Sequence, residues 1–257
     1  PLWNSVVADV SDFIWNDSSW MAERKKYDDR RQPVSIYETS LGQWKSGKEL
    51  VAFAKEKGYT HVELHPVMEF LEDGSDGYPT SAYFAVSTRY GTPAEFAALV
   101  DELHQVGIGV ILDWSPAQFP RYAGGLEKFD GTPLYEVKDP EMAVHPMWGT
   151  MLYNYDSPMV MDFLISNACF WLEVFHVDGL RMDDVDAMLY LDYGRKDGWT
   201  PNMYGSNENL QAIEFLKHLN SVIKERNPGL LLVAQENGLW PELTDSVELS
   251  LIHISEP

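Results

Sequence analysis

The stretch GIGVILDWSPAQFP, Gly107–Pro120, decides how the rest of the chain is read. Its first half, Ile108–Trp114, is a short apolar run interrupted only by Gly109 and Asp113, the form of a strand buried on both faces. A helix-period segment comes before it. Phe96, Leu99, Val100, Leu103 and Val106 follow a capping box made of Thr92-Pro93 and Glu95, and Gly107 stands where a helix C-terminal glycine belongs. Helix, tight turn, buried strand and long polar loop, in that order, are the parts of a parallel sheet.

Working outward, four more runs read as strands: Val34–Leu41, Thr60–Leu64, Val177–Met182 and Leu230–Gln235. Ser46 with Glu49 opens one helix, and Gly58 ends it. A third helix starts at Ser157-Pro158 and buries Val160, Phe163, Leu164, Trp171 and Val174. A fourth carries Ala212, Phe215, Leu216, Leu219, Val222 and Ile223. Loops after strands are long, notably 66 to 91 and 115 to 156, whereas those after helices are short. That asymmetry predicts a (β/α) barrel working at the C-terminal ends of its strands. A doubly wound open sheet competes, but no predicted strand is followed by the glycine-rich phosphate turn of a dinucleotide site. Residues 1–33, rich in Trp, Asp and Arg, read as a connector.

Composition removes several classes of function. The 257 residues carry 19 Lys and Arg against 40 Asp and Glu, a formal net charge of -21. Nucleic acid and anionic membrane surfaces are therefore disfavoured as partners, since both need clustered cations. No run approaches the roughly 18–20 apolar residues of a membrane span. The lone cysteine, Cys169, forms no internal disulfide, and a reducing cytoplasm is the simplest location. A start at Pro1 predicts a fragment of a longer protein.

Polar residues at or just past strand ends are the candidates for chemistry: Glu38, Asp113 with Gln118, Arg181 with Asp183, and Gln235 with Glu236. Strand alternation sends Arg181 and Asp183 to one face and Met182 to the other. An Arg beside an Asp keeps a carboxylate ionised, as a nucleophile requires; a structural ion pair or a capping Asp is the competing reading. Asp178, Asp183, Asp184 and Asp186 could hold a hard cation, but they lack a calcium-loop register and alternation scatters them. The seven histidines contain no His-Glu-x-x-His pair, so no metal is expected.

Longer strings carry a resemblance. THVELHPVMEF, GSDGYPTSAYFAVSTRYGTPAEF, GIGVILDWSPAQFP, HPMWGTMLYNY, FLISNACFWLEVFHVDGLRMDDVDAMLYLDYGRKDGW and YGSNENLQAIEFLKHLNSVI closely resemble the glycogen branching enzymes, or 1,4-α-glucan branching enzymes, of the α-amylase superfamily. The match runs from near residue 1 to about residue 245. It implies an α/β fold, the first five βα units of a (β/α)8 TIM barrel. In domain terms, 1–33 would be the linker from an N-terminal β-sandwich and 34–245 the partial catalytic barrel. Residues 246–257, closing in SLIHISEP, read as a non-native tail. Five strands of eight cannot close a barrel, so exposed sheet edges and aggregation are expected of this chain alone.

The activity implied is a retaining transglycosylation, in which an α-1,4 link of a glucan such as glycogen or an amylose-like chain is cleaved and rejoined as an α-1,6 branch. Two carboxyl groups about 5 to 5.5 Å apart do this, one as nucleophile and one as acid and base. No metal or organic cofactor is implied. By resemblance Asp183 is the nucleophile, with Arg181 holding it ionised. Tyr78 lies beneath the reacting sugar, and Asp113 is the Asp of the first motif. The family carries Ala-Glu-Glu where this chain has Ala234-Gln235-Glu236, so Gln235 occupies the acid position. Glu236 would face the other way in a regular strand unless a bulge turns it inward. Gln118 and Ser40 stand where the family has His, and Asp76 where it has Trp. These departures imply a degenerate paralogue that keeps the fold and a glucan site. The alternatives are a catalytically impaired glucan-binding or regulatory protein, with Tyr78, Trp114, Trp148 and Trp240 as sugar platforms, and an amylase or debranching hydrolase.

Overall fold

Short strands joined through helices make up the computed structural model, which describes residues 6–27, 32–237, Trp240 and the backbone of 254–256. In chain order the elements are α1 (Ser18–Arg24), β1 (Ile36–Thr39), α2 (Gly47–Lys57), β2 (His61–Leu64), β3 (Met68–Phe70), β4 (Thr80–Val86) and α3 (Pro93–Gln105). Then follow β5 (Gly109–Trp114), β6 (Gln118–Phe119), α4 (Pro140–Ala143), β7 (Met151–Leu152), α5 (Pro158–Val174), β8 (Gly179–Met182), α6 (Val185–Leu189), α7 (Leu210–Arg226), β9 (Leu231–Gln235) and β10 (Ile254–Glu256).

One parallel sheet runs β1-β2-β5-β8-β9-β10. The first five members are the five runs read as strands. Their spatial order follows chain order with no reversal, which is the winding of a (β/α) barrel; a doubly wound sheet reverses at a switch point. Alternation sorts the strand side chains. Val62, Leu64, Val110, Leu112, Trp114, Leu180, Met182, Leu232 and Ala234 join the apolar core formed with the helices. Glu63, Asp113 and Arg181 take the other face, also buried.

Local chemistry sets the helix ends. The Thr92 hydroxyl accepts from the Glu95 N–H while the Glu95 carboxylate accepts from the Thr92 N–H, the full capping box ahead of α3. Ser46 caps α2, and Gly58 ends it at φ 77°. The segments 66–91 and 115–156 are more ordered than the loops expected there. They contain the antiparallel pairs β3–β4 and β6–β7. The first pair is broken by register shifts and the second is two residues long, so neither leaves a periodic signal.

Much of the connector docks beneath the sheet. Trp15 stacks on His176 at 3.9 Å between ring centroids. α1 passes so close to Gly229 (φ 83°) that a Cβ there would lie 1.8 Å from the Arg24 carbonyl oxygen, which makes glycine obligatory at this crossing. Of the tail 246–257, residues 246–253 and 257 lie outside the described residues. The backbone of 254–256 pairs in parallel with Val233–Gln235. Among the described residues no helix is long and apolar enough to cross a membrane.

Candidate active site

The polar residues of the inner sheet face converge at the C-terminal ends of β5, β8 and β9. Asp113 and Arg181 are register partners on adjacent strands. Arg181 lies at the centre of three carboxylates. Its Nε is 3.5 Å from Glu63 Oε1, and its Nη1 is 3.5 Å from Asp113 Oδ2 and 3.8 Å from Asp183 Oδ1. The Tyr78 hydroxyl, carried in by the loop before β4, donates to Asp113 Oδ2. Burial, then the Asp113 charge, pushes the Tyr78 phenol well above its usual range, so it remains a donor. Tyr78, Asp113, Arg181 and Asp183 are thus one constellation.

The Arg181 charge favours ionised Asp183, but stronger influences oppose it. Burial, followed by the neighbouring Asp184 charge, pushes Asp183 up to about 7 against the pull of Arg181. The guanidinium is shared among three acids, and of these three pairs the one with Asp183, at 3.8 Å, is the longest. Asp113 is likewise raised, by burial against the opposing Tyr78 bond and Arg181 charge.

Asp184 has a left-handed backbone (φ 59°, ψ 39°), unusual for a residue other than glycine and common where a site constrains the chain. Its N–H donates to Gln235 Oε1 at 3.2 Å. Its Oδ2 accepts from Gln118 Nε2 at 2.7 Å and lies 2.9 Å from His145 Nε2. His145 Nδ1 accepts from the Met147 and Trp148 N–H groups, which assigns the ring proton to Nε2, facing Asp184. Thr150 donates to the other end of the Gln118 amide. Gln118 therefore ties Asp184 to the β7 loop.

Gln235 and Glu236 part as strand alternation requires. Gln235 reaches the Asp183–Asp184 segment. Glu236 is buried, and its Oε1 accepts from the Trp240 N–H at 2.8 Å, with its charge acting on Asp186 and Tyr190. The other residues of the acidic patch are also dispersed. Asp186 is bonded to Asn237, and Asp178 is at the opposite end of β8, bonded to His104, Arg24 and Trp20. Among the aromatic residues considered as sugar platforms, Trp114 takes the competing role of a core aromatic. It is fully buried and donates to Asn167, so it is a core residue, whereas Trp148 is exposed.

One grouping escaped the sequence reading. Glu38, His65 and Asp113, at the ends of β1, β2 and β5, bring one ligand atom each to within 4.8 Å of one another. Glu38 stands out in the sequence as a strand-end acid, but nothing in its spacing connects it to His65.

A domain model described as "Alpha amylase, catalytic domain" matches residues 18–116. A solved Salmonella typhimurium protein assigned to the α-amylases superposes with a TM-score of 0.72 over 97% of this chain and 39% of its own, at 22% identity, which speaks to the fold. Fold and matched segment are those of the α-amylase class, a (β/α) barrel with carboxylates at its strand ends. Within that class the chain is most like proteins named as branching enzymes among those compared. It is 48% identical to "1,4-alpha-glucan branching enzyme GlgB" of Methylococcus capsulatus over 93% of this chain and 34% of that protein. The enzyme of the same name from Thermobifida fusca is also 48% identical, over 93% and 33%. The chain thus spans about a third of the length of these relatives.

Proposed function

We propose that the site is the donor-binding, nucleophile-bearing half of an α-glucan branching centre, acting on α-1,4-linked chains in the cytoplasm, with Asp183 as the attacking carboxylate. The observation that carries this is the constellation of Tyr78, Asp113, Arg181 and Asp183 on the inner face at the strand ends. The Asp183 oxygen attacks the anomeric carbon, and the bond to the departing O4 breaks. The departing oxygen takes its proton from water, leaving hydroxide. In the second step a 6-hydroxyl attacks the same carbon, loses its proton to that hydroxide, and the bond to the Asp183 oxygen breaks, freeing the carboxylate. Tyr78 and Asp113 hold the reacting ring, and Arg181 limits the repulsion among the acids around it.

The proton step is the weak link. Gln235 lies beside the nucleophile segment and cannot donate or accept the required proton, while Glu236 is engaged with Trp240. General acid catalysis contributes about 10²- to 10⁴-fold. Branch formation on amylose by the full-length protein is therefore expected to be slow, and Gln235→Glu should raise it by about that factor. Asp183→Asn in the Gln235→Glu background should abolish the gain. Rapid branching by the unmodified protein would refute the assignment of Gln235.

The second reading, a glucan-binding protein on the same barrel, is favoured by Gln235 itself. It predicts that maltooligosaccharide binding persists with no turnover, even after Gln235→Glu.

A further inference from the structure

From the convergence of Glu38, His65 and Asp113 we infer that the ends of β1, β2 and β5 form a binding site for one divalent transition-metal ion of the Zn²⁺ class. Their ligand atoms lie within 4.8 Å of one another, and Glu38 Oε1 is already 3.0 Å from His65 Nε2. In a tetrahedral zinc site with bonds of about 2.1 Å, ligand atoms sit about 3.4 Å apart. The widest separation thus has to close by no more than about 1.4 Å, within the reach of side-chain rotation.

A second observation points to a ligand. Asp113 is wholly buried, and only its Oδ2 is engaged, by Tyr78 and Arg181. Its Oδ1 has no hydrogen-bond partner among the described residues. A buried carboxylate oxygen without a donor is costly unless something electropositive meets it. Arg181 cannot serve fully, being divided among Glu63, Asp113 and Asp183.

The donor set selects the ion. One imidazole with two carboxylates suits a borderline metal such as Zn²⁺ or Co²⁺, whereas Ca²⁺ and Mg²⁺ prefer oxygen throughout. The three residues end adjacent parallel strands, so the sheet holds their backbones in place. Glu38 is more than half exposed, which leaves the outer coordination positions open to water or another ligand.

Zn²⁺ binding at these residues is separable from glycosyl chemistry, so the metal alone is the probe. Zn²⁺ titrated calorimetrically into the full-length protein should bind at one ion per chain and resist excess Mg²⁺. Glu38→Gln and His65→Leu should each weaken binding by about tenfold or more, with the far-ultraviolet dichroism unchanged. Absence of Zn²⁺ binding, equal displacement by Mg²⁺, or affinity unaltered in both variants would overturn it. Should either variant fail to fold, X-ray absorption of the Co²⁺-loaded unmodified protein decides instead. One imidazole nitrogen among oxygen ligands is expected, and an all-oxygen shell is the refuting result.

Discussion

At the scale of single residues, Asp183 is a buried acid whose ionisation costs the fold stability. Its carboxyl is pushed up to about 7 by burial and by Asp184, so the native state holds a proton that the unfolded chain gives up near pH 4. A raised acid makes the native state lose stability as pH climbs from about 4 to about 7, with the full loss persisting above. Asp183→Asn removes the penalty while leaving the shape of the side chain. Urea unfolding of the full-length protein should show the variant more stable by about 1–3 kcal/mol at pH 8, with the gain shrinking toward pH 4. An equal gain at both pH values would mean that the carboxylate is not the cause. The sequence reveals Arg181 and Asp183 on one face because strand alternation is local. It hides the left-handed Asp184 backbone, the Gln118 and His145 contacts that hold its side chain, and the Glu38–His65–Asp113 grouping. Each of these depends on how separate segments meet in space.

Among the elements, the docking of the N-terminal segment under the sheet shows the same limit. His104 of α3 contacts Asp17 Oδ2 at 2.9 Å through Nδ1 and Asp178 Oδ2 at 2.8 Å through Nε2, so both ring nitrogens face acceptors. Asp178 also accepts from Trp20, Arg24 and the Val110 N–H, and Asp17 lies 2.8 Å from His176. Burial works against a charged His104, but the Asp178 charge and the two carboxylate bonds outweigh it and raise its pKa. Burial likewise opposes ionisation of Asp178, yet His104 and Arg24 hold it at about 2. The His104 contribution is complete below about pH 6.5 and is lost as pH rises through its raised value. The Asp178 contribution is present above about pH 4 and is lost as pH falls toward 2. Stability from this network should therefore be greatest between those limits. His104→Ala strands two buried carboxylates, and denaturant unfolding should show a loss of about 3–5 kcal/mol. A loss below about 1 kcal/mol would place the docking energy elsewhere, for example in the Trp15–His176 stack. The Thr92–Glu95 capping box at the other end of α3 is readable from four consecutive residues. The network itself joins positions 87 and 74 apart from His104, and no window along the chain contains it.

For the whole molecule, the decisive feature is the open edge of the sheet at β1. The order β1-β2-β5-β8-β9-β10 leaves β1 with a strand neighbour on one side only among the described residues. At this edge Tyr37, Phe53 and Tyr59 pack together at 4.9–6.4 Å between centroids, with Trp44 5.2 Å from Phe53, and all four rings are only partly buried. An unpaired strand next to a half-exposed aromatic cluster is a template for pairing with another chain. The relatives, about three times as long, have chain available to cover such an edge, and closure of a barrel removes edges altogether. The five strands and their winding could be read from the sequence because βα alternation repeats along the chain. The exposure of the edge aromatics could not, since Tyr37 and Phe53 look the same in a sequence whether covered or bare. The net charge of -21 opposes association at low salt, and screening should weaken that protection. The 257-residue chain expressed by itself is therefore expected to self-associate, the more so as salt is raised from about 10 mM to about 150 mM. Tyr37→Lys with Phe53→Lys should shift it toward monomer, as followed by size-exclusion chromatography with light scattering. A chain that is monomeric at both salt concentrations, with a cooperative unfolding transition, would show that the edge is already satisfied without further strands.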